Sequence, residues 1–213
     1  LLLWAGLMTA LFCGCATLDV RPPIEPTRAV ADTQGTTLSG IATASLRAAG
    51  ADSVAPSGIR LLPRGEFAFE ARIAMARHAE RTIDAQYYQL RSDDSGRALL
   101  RALRDAAARG VRVRLLVDDF HAADVQDLLL DLSTQEHAQV RLFNPLALRT
   151  GPPMLRLLLS PGSFELQNHR MHNKLFVADN ALAVFGGRNI ADEYFMNHAE
   201  NNFVDLDVLA VQR

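Results

Sequence analysis

From residue 58 onward the apolar positions keep two different periods, and the switches between them outline the elements. Residues 59–62 form a short apolar run that predicts a strand. Over 66–80, Phe69, Ile73 and Ala76 recur at three- and four-residue spacing, which predicts a helix. Over 82–90, Ile83, Ala85 and Tyr87 alternate with Asp84, Gln86 and Tyr88, the period of a strand. Ser95 can cap a helix running to Arg109, with Leu99, Leu100, Leu103 and Ala107 on one face and Gly110 as its stop. A strand over 111–117 buries Val111, Val113 and Leu115 and turns Arg112 and Arg114 outward. A helix over 124–136 and a strand over 139–143 follow. Strands separated by helices predict parallel βαβ units.

Residues 144–170 break this rhythm, with Pro145, Pro152, Pro153 and Pro161 around the apolar stretch 154–159. That stretch reads either as a lipid-facing loop or as a loop helix packed on the core. Alternation then resumes. Asn173, Leu175 and Val177 interleave with His172, Lys174 and Phe176, predicting a strand. Asp179-Asn180 is a turn signal, and 181–185 is a second strand, a hairpin partner for the first. Gly186-Gly187 permits a close approach of the backbone, and Asn189 is placed to begin a helix. Residues 203–213 alternate as a last strand.

Composition narrows the class. Of 213 residues, 49% are hydrophobic and 22% charged, which suits a globular core and excludes a disordered chain or a multi-span membrane protein. The net charge of −2 gives no overall basic footprint, so no nucleic-acid partner is expected. Cys13 and Cys15 are the only cysteines, which excludes a disulfide framework or a thiolate metal site in the body of the chain. Lys174 is the single lysine among 22 basic residues. A chain that uses arginine everywhere else marks that position as one needing a compact ammonium.

The N-terminal 15 residues are apolar and uncharged. As a helix they would span about 22 Å, short of the roughly 30 Å hydrocarbon core, so a leader sequence is the better reading than a membrane span. The run ends Phe12-Cys13-Gly14-Cys15, which resembles a bacterial lipobox with Phe12 and Cys13 in place of its usual Leu and small residue. Cys15 is then the acylation site. The expected address is the cell envelope, as a membrane-anchored lipoprotein facing the periplasm; plain secretion is the alternative. The expected organisation is a leader over 1–14, a Pro/Ser/Thr/Gly-rich tether over 15–57, with a weakly packed N-terminal extension as the alternative there, and a domain over 58–213.

The chemistry gathers at 172–189. A strand puts His172 and Lys174 on one face, about 6.6 Å apart along the backbone. Neutral imidazole is a good nucleophile near pH 7, and a phosphodiester repels nucleophiles until its charge is neutralised. An ammonium and an amide donor supply that neutralisation with no metal or organic cofactor. His169 and His198 flank the motif, whereas His78, His121 and His137 read as surface residues. Tyr87, Tyr88, Asp118 and Asp119 lie at strand ends, where α/β pockets open.

The spacing His172-x-Lys174-x4-Asp179-x6-Gly186-Gly187-x-Asn189 resembles the HKD motif of the phospholipase D superfamily. The flanking stretches IDAQYY at 83–88, GVRVRLLVDD at 110–119 and GGRNIADEYF at 186–195 are similar to cardiolipin synthase-type members. The resemblance covers roughly residues 58–213. It implies an α/β fold, here a half-domain with a mixed, mostly parallel sheet flanked by helices. It implies a partner half, either a missing C-terminal part or a second copy, bringing another histidine to one shared site. His172 is then nucleophile or general acid, Lys174 and Asn189 hold phosphate oxygens, Gly186 and Gly187 lie against the substrate, and Asp179 supports. Glu200 sits at the distance of the family's carboxylate that orients the histidine, with Asp205 competing. The implied activity is phosphatidyl transfer on phospholipids. Transfer to water, as a phosphodiesterase or nuclease, and a non-catalytic phosphate-binding lipoprotein are the alternatives.

Overall fold

The computed structural model describes residues 26–30, 34–50, 57–145 and 169–212. In chain order its elements are α1 (Thr37–Ala48), β1 (Ser57–Leu62), α2 (Gly65–His78), β2 (Thr82–Tyr87), α3 (Asp94–Ala108) and β3 (Arg112–Asp118). Then come α4 (Gln126–Ser133), β4 (Ala138–Phe143), β5 (Lys174–Ala178), β6 (Leu182–Gly186) and β7 (Asp207–Gln212). The strands make one sheet in the order β1-β7-β6-β5-β2-β3-β4.

The α/β class stands, but the expected mostly parallel sheet does not. Only β2–β3 and β3–β4 pair parallel; β2–β5, β5–β6, β6–β7 and β7–β1 are antiparallel. The cause is local. Asp179 and Asn180 both adopt φ near +48°, the left-handed geometry of a tight hairpin turn, and a hairpin forces its strands antiparallel. Helices connect β1 through β4 in succession, but β1 lies at the far edge of the sheet, so only β2, β3 and β4 become parallel neighbours.

One face of the sheet carries the core. Ile83, Ala85, Val113, Leu115, Val117, Phe176, Ala178 and Val184 are buried there at strict two-residue spacing. Leu38 and Ala42 of α1, Ala68, Met75 and Ala76 of α2, Leu99 and Leu103 of α3, and Leu129 and Leu132 of α4 join the same cluster. The cap of α3 is Asp93, which accepts from Gly96 N–H at 3.0 Å, and not Ser95 as expected. Ser95 is buried and its hydroxyl donates to Asp192.

Two further expectations change. Residues 37–48, expected within a flexible tether, form a helix capped by Thr36 whose Leu38, Ala42 and Leu46 are buried. Its apolar stripe is one residue wide and set among Ala, Gly, Ser and Thr, too narrow to register as an amphipathic period. No long helix follows Asn189, only a 3-10 turn over Asp192–Tyr194. The expected leader, Cys15, most of the tether and the apolar stretch 154–159 lie outside the described residues. Among the described residues no helix is long and apolar enough to cross a membrane.

Candidate active site

The site forms at one end of the sheet, where β2 and β3 finish and β5 begins. The ladder between β2 and β5 runs one step past both strands, since Tyr88 N–H donates to Asn173 C=O at 3.0 Å. His172 comes just before that last rung and is exposed, so its ring stands at the mouth while Lys174 is rooted in the sheet. Lys174 is 7% exposed and sends its Nζ back along the strand to 3.2 Å from His172 Nε2 and 3.1 Å from His172 C=O. An ammonium has no lone pair, so this contact makes Nε2 the acceptor and leaves the ring proton on Nδ1. Burial pushes the Lys174 ammonium below the ordinary lysine range, and Asp205 opposes that shift.

Two neighbours hold this pair. Tyr88 packs its ring 4.8 Å from the His172 ring and 5.3 Å from Lys174 Nζ. His121 stacks edge-on to the same tyrosine at 4.7 Å, and Phe120 lies 4.9 Å beyond it. His121, expected on the surface, is instead half-buried in an aromatic ladder, and burial lowers its pKa. Asp118, at the end of β3, is fully buried; it accepts from Met171 N–H and Arg170 Nη1, both at 2.9 Å, and from Phe120 N–H at 3.0 Å. One carboxylate thus ties the segment leading into His172 to the loop that carries Phe120 and His121. The sequence placed Asp118 at a pocket edge but gave no sign of this clamp.

Asn189 lies 3% exposed in the loop after β6. Its Oδ1 accepts from Gln89 N–H at 3.1 Å, and its Nδ2 donates to the Tyr194 hydroxyl at 3.0 Å. The loops after β2 and β6 are zipped together by a short parallel bridge between Leu90 and Ile190. The carboxamide is therefore held with one N–H committed and one to spare.

Gly186 and Gly187 make room for carboxylates. A Cβ on Gly187 would collide with the Asp205 side chain, and one on Gly186 with Asp207 and the Leu206 carbonyl. This brings Asp205 close enough to act on Lys174. Glu200 is exposed on the 198–202 turn, where its N–H donates to His198 Nδ1, and among the described residues no contact joins it to His172. Of the two carboxylates weighed from the sequence, Asp205 is the one whose charge reaches Lys174.

Asp179 sits at the opposite end of β5. It is fully buried and accepts backbone N–H bonds from Glu80, Arg81 and Thr82 at 2.8–3.0 Å. That saturates the carboxylate and pins the turn before β2 to the hairpin, a supporting role.

The comparisons with known proteins bear on this geometry. Residues 73–213 match the family described as cardiolipin synthase, PLD-like domain. The chain belongs to that family. It is 46% identical over 154 residues to cardiolipin synthase C of Escherichia coli K12, covering 72% of this chain and 32% of the relative. It is 35% identical over 199 residues to an uncharacterized protein of Helicobacter pylori J99, covering 93% of this chain and 38% of that protein. The chain therefore spans about a third of the length of these curated relatives. Among solved structures, phosphatidylserine synthase of Haemophilus influenzae Rd KW20 superposes with a TM-score of 0.53 at 15% identity, over 83% of this chain and 38% of that one. NucT from Helicobacter pylori gives 0.50 at 16%, over 73% and 84%. At such identities these two establish the shared fold alone.

Proposed function

We propose that this protein is a phosphatidyltransferase of the cardiolipin synthase type that works through a phosphohistidine on His172. The observation that carries the reading is the Lys174 ammonium standing 3.2 Å from His172 Nε2, in a member of a cardiolipin synthase family.

The chemistry follows from that contact. Nε2 carries its lone pair towards the place where the ammonium can also hold a phosphate oxygen, so nucleophile and counter-charge meet at one phosphorus. As Nε2 attacks, the Lys174 N–H that it accepted turns from the lone pair to a non-bridging oxygen, beside the third N–H, while the bond to His172 C=O keeps the ammonium in place. The spare N–H of Asn189 gives a second donor. Nε2 forms a bond to phosphorus as the bond to the headgroup oxygen breaks, and an acid must protonate that leaving oxygen. A second imidazole, from a partner half or a second copy of the chain, serves there. The hydroxyl of another lipid or of glycerol then attacks phosphorus, returns its proton to that base and releases His172. Asp205, acting on Lys174, favours the charged ammonium that meets the phosphate.

Acylation of Cys15 would keep the enzyme at the membrane that holds its substrate. Radiolabelled palmitate incorporated by the wild type and by Cys15→Ser alike would sink that part. The activity is tested on the complete enzyme with mixed phospholipids and an alcohol acceptor. A new phospholipid, with an acid-labile, base-stable phosphoprotein that His172→Ala lacks, is the expected result. Phosphatidic acid alone means transfer to water, and cleaved DNA means a nuclease. Unimpaired function in His172→Ala means a non-catalytic binder.

A further inference from the structure

Beneath the site lies a charged cluster that nothing above has used. Arg72, Arg188 and Asp207 are each 0% exposed, as is Tyr87. Arg72 reaches down from α2, where its Nε donates to the Tyr87 hydroxyl at 2.9 Å and its Nη1 to Ala68 C=O at 2.7 Å. Its Nη2 lies 2.9 Å from Asp207 Oδ2. Arg188, between Gly187 and Asn189, turns inward: Nη1 donates to Leu62 C=O at 3.0 Å and lies 3.8 Å from Asp207 Oδ2, and Nη2 donates to the carbonyls of Pro63 and Asp205.

The sheet register explains why these groups meet. Leu62 pairs with Asp207, Asp207 with Gly186, and Tyr87 with Lys174. Leu175 pairs with Phe185, so the next position puts Lys174 beside Gly186. Leu62, Asp207, Gly186, Lys174 and Tyr87 therefore form one row across five strands, all facing the helices. Gly186 has no side chain, Asp207 leans over it, and Arg72 bridges from Asp207 to Tyr87 across the strand that bears Lys174. The lysine side chain starts on the core side of the sheet, on a strand that this bridge crosses, and its Nζ ends at His172.

We propose that this cluster is a positioning device for Lys174: Arg72 roofs its strand so that the ammonium emerges at the mouth, and the one surplus positive charge of the cluster bears on the site from behind. The surplus counts the fully buried groups alone, two guanidiniums against one carboxylate; Asp205 is half-buried and acts on Lys174 separately. Burial pushes the Tyr87 phenol up, so it stays neutral and adds nothing to the count. In a low-dielectric interior that charge is poorly screened. His172 and Tyr88 touch the ammonium and the charge of Asp205 acts on it directly; Tyr87, paired with Lys174 in the sheet, leads to Arg72 of α2, and through it to Asp207 of β7 and to Arg188 of the glycine loop.

Because the 213-residue chain contains a single lysine, ε-13C-lysine labelling reports the Lys174 titration as one resonance, with no need for activity. Arg72→Met removes a cation, so the Lys174 pKa should rise by about one unit. Asp207→Asn removes the anion, so it should fall by a comparable amount. Arg188→Met removes the other cation and should raise the Lys174 pKa as well. Opposite shifts on losing a cation and on losing the anion mark an electrostatic coupling that a merely structural cluster would not produce. Shifts of the same sign on both, or none while the amide spectrum stays native, overturn the proposal. Should Arg72→Met not fold, Arg188→Met measured against Asp207→Asn decides by the same criterion.

The effect on phosphorus rests on the function proposed above: in the complete enzyme Arg72→Met should lower kcat about tenfold with KM little changed. Opposite NMR shifts without any phosphohistidine would keep the positioning role and remove the transferase. A phosphohistidine with an unmoved lysine would do the reverse.

Discussion

The two ends of β5 carry parts of one sequence motif and do opposite things with their polar groups. At the hairpin end, Asp179 is buried and spends its oxygens on three backbone N–H groups. At the mouth, Lys174 and Asn189 each keep an N–H uncommitted, and His172 stays exposed with its Nε2 lone pair lent only to the Lys174 ammonium. Saturation makes an anchor and unspent capacity makes a reactive site, because a group already fully paired gains nothing from a substrate. The spacing that joins His172 to Asp179 is thus the length of a strand, with chemistry at one end and support at the other.

Variants at the two ends should separate these roles. The largest effect belongs to the mouth: His172→Ala should cost the complete enzyme about a thousandfold or more in kcat with an unchanged melting temperature. Lys174→Arg should fail to restore what Lys174→Ala loses, because a planar fork does not fit the buried lysine channel. At the far end the balance reverses. Asp179→Ala leaves three N–H groups without their acceptor and should lower unfolding stability by about 3 kcal/mol in a urea titration, while the folded fraction turns over within about twofold of wild type. A large activity loss without a stability loss would end the distinction drawn here. The smallest effects sharpen the mouth itself: Asp205→Asn should reduce kcat about tenfold, and Glu200→Gln should not change it measurably. The reverse ranking would return the orienting role to Glu200.

Sequence reading reached much of this because the signals it uses are local. Alternation places side chains on faces, so β3, β4, β5 and β6 could be found within a residue or two, and β2 with three residues too many at its end. The His172–Lys174 pair stood out through motif spacing and the single lysine. Other features were hidden for particular reasons. Arg72 occupies a buried position of α2, but an arginine in a helix counts as a solvent-facing residue in any hydrophobic pattern. His121 looked superficial because its partner, Tyr88, belongs to another strand. Helix α1 was missed because alanine, glycine and serine around Leu38, Ala42 and Leu46 blur the contrast that defines a face.

What the chain alone determined is therefore the inventory: which segments extend or coil, and which residues are chemically able to act on a phosphodiester. Only the tertiary structure decided who stands beside whom. It set the antiparallel arrangement of β5, β6, β7 and β1, brought Asp205 rather than Glu200 towards Lys174, and put Arg72 over the strand behind the site. The physical reason is that a period constrains the direction of a side chain, whereas pairing and burial between distant segments depend on how whole faces close over one core.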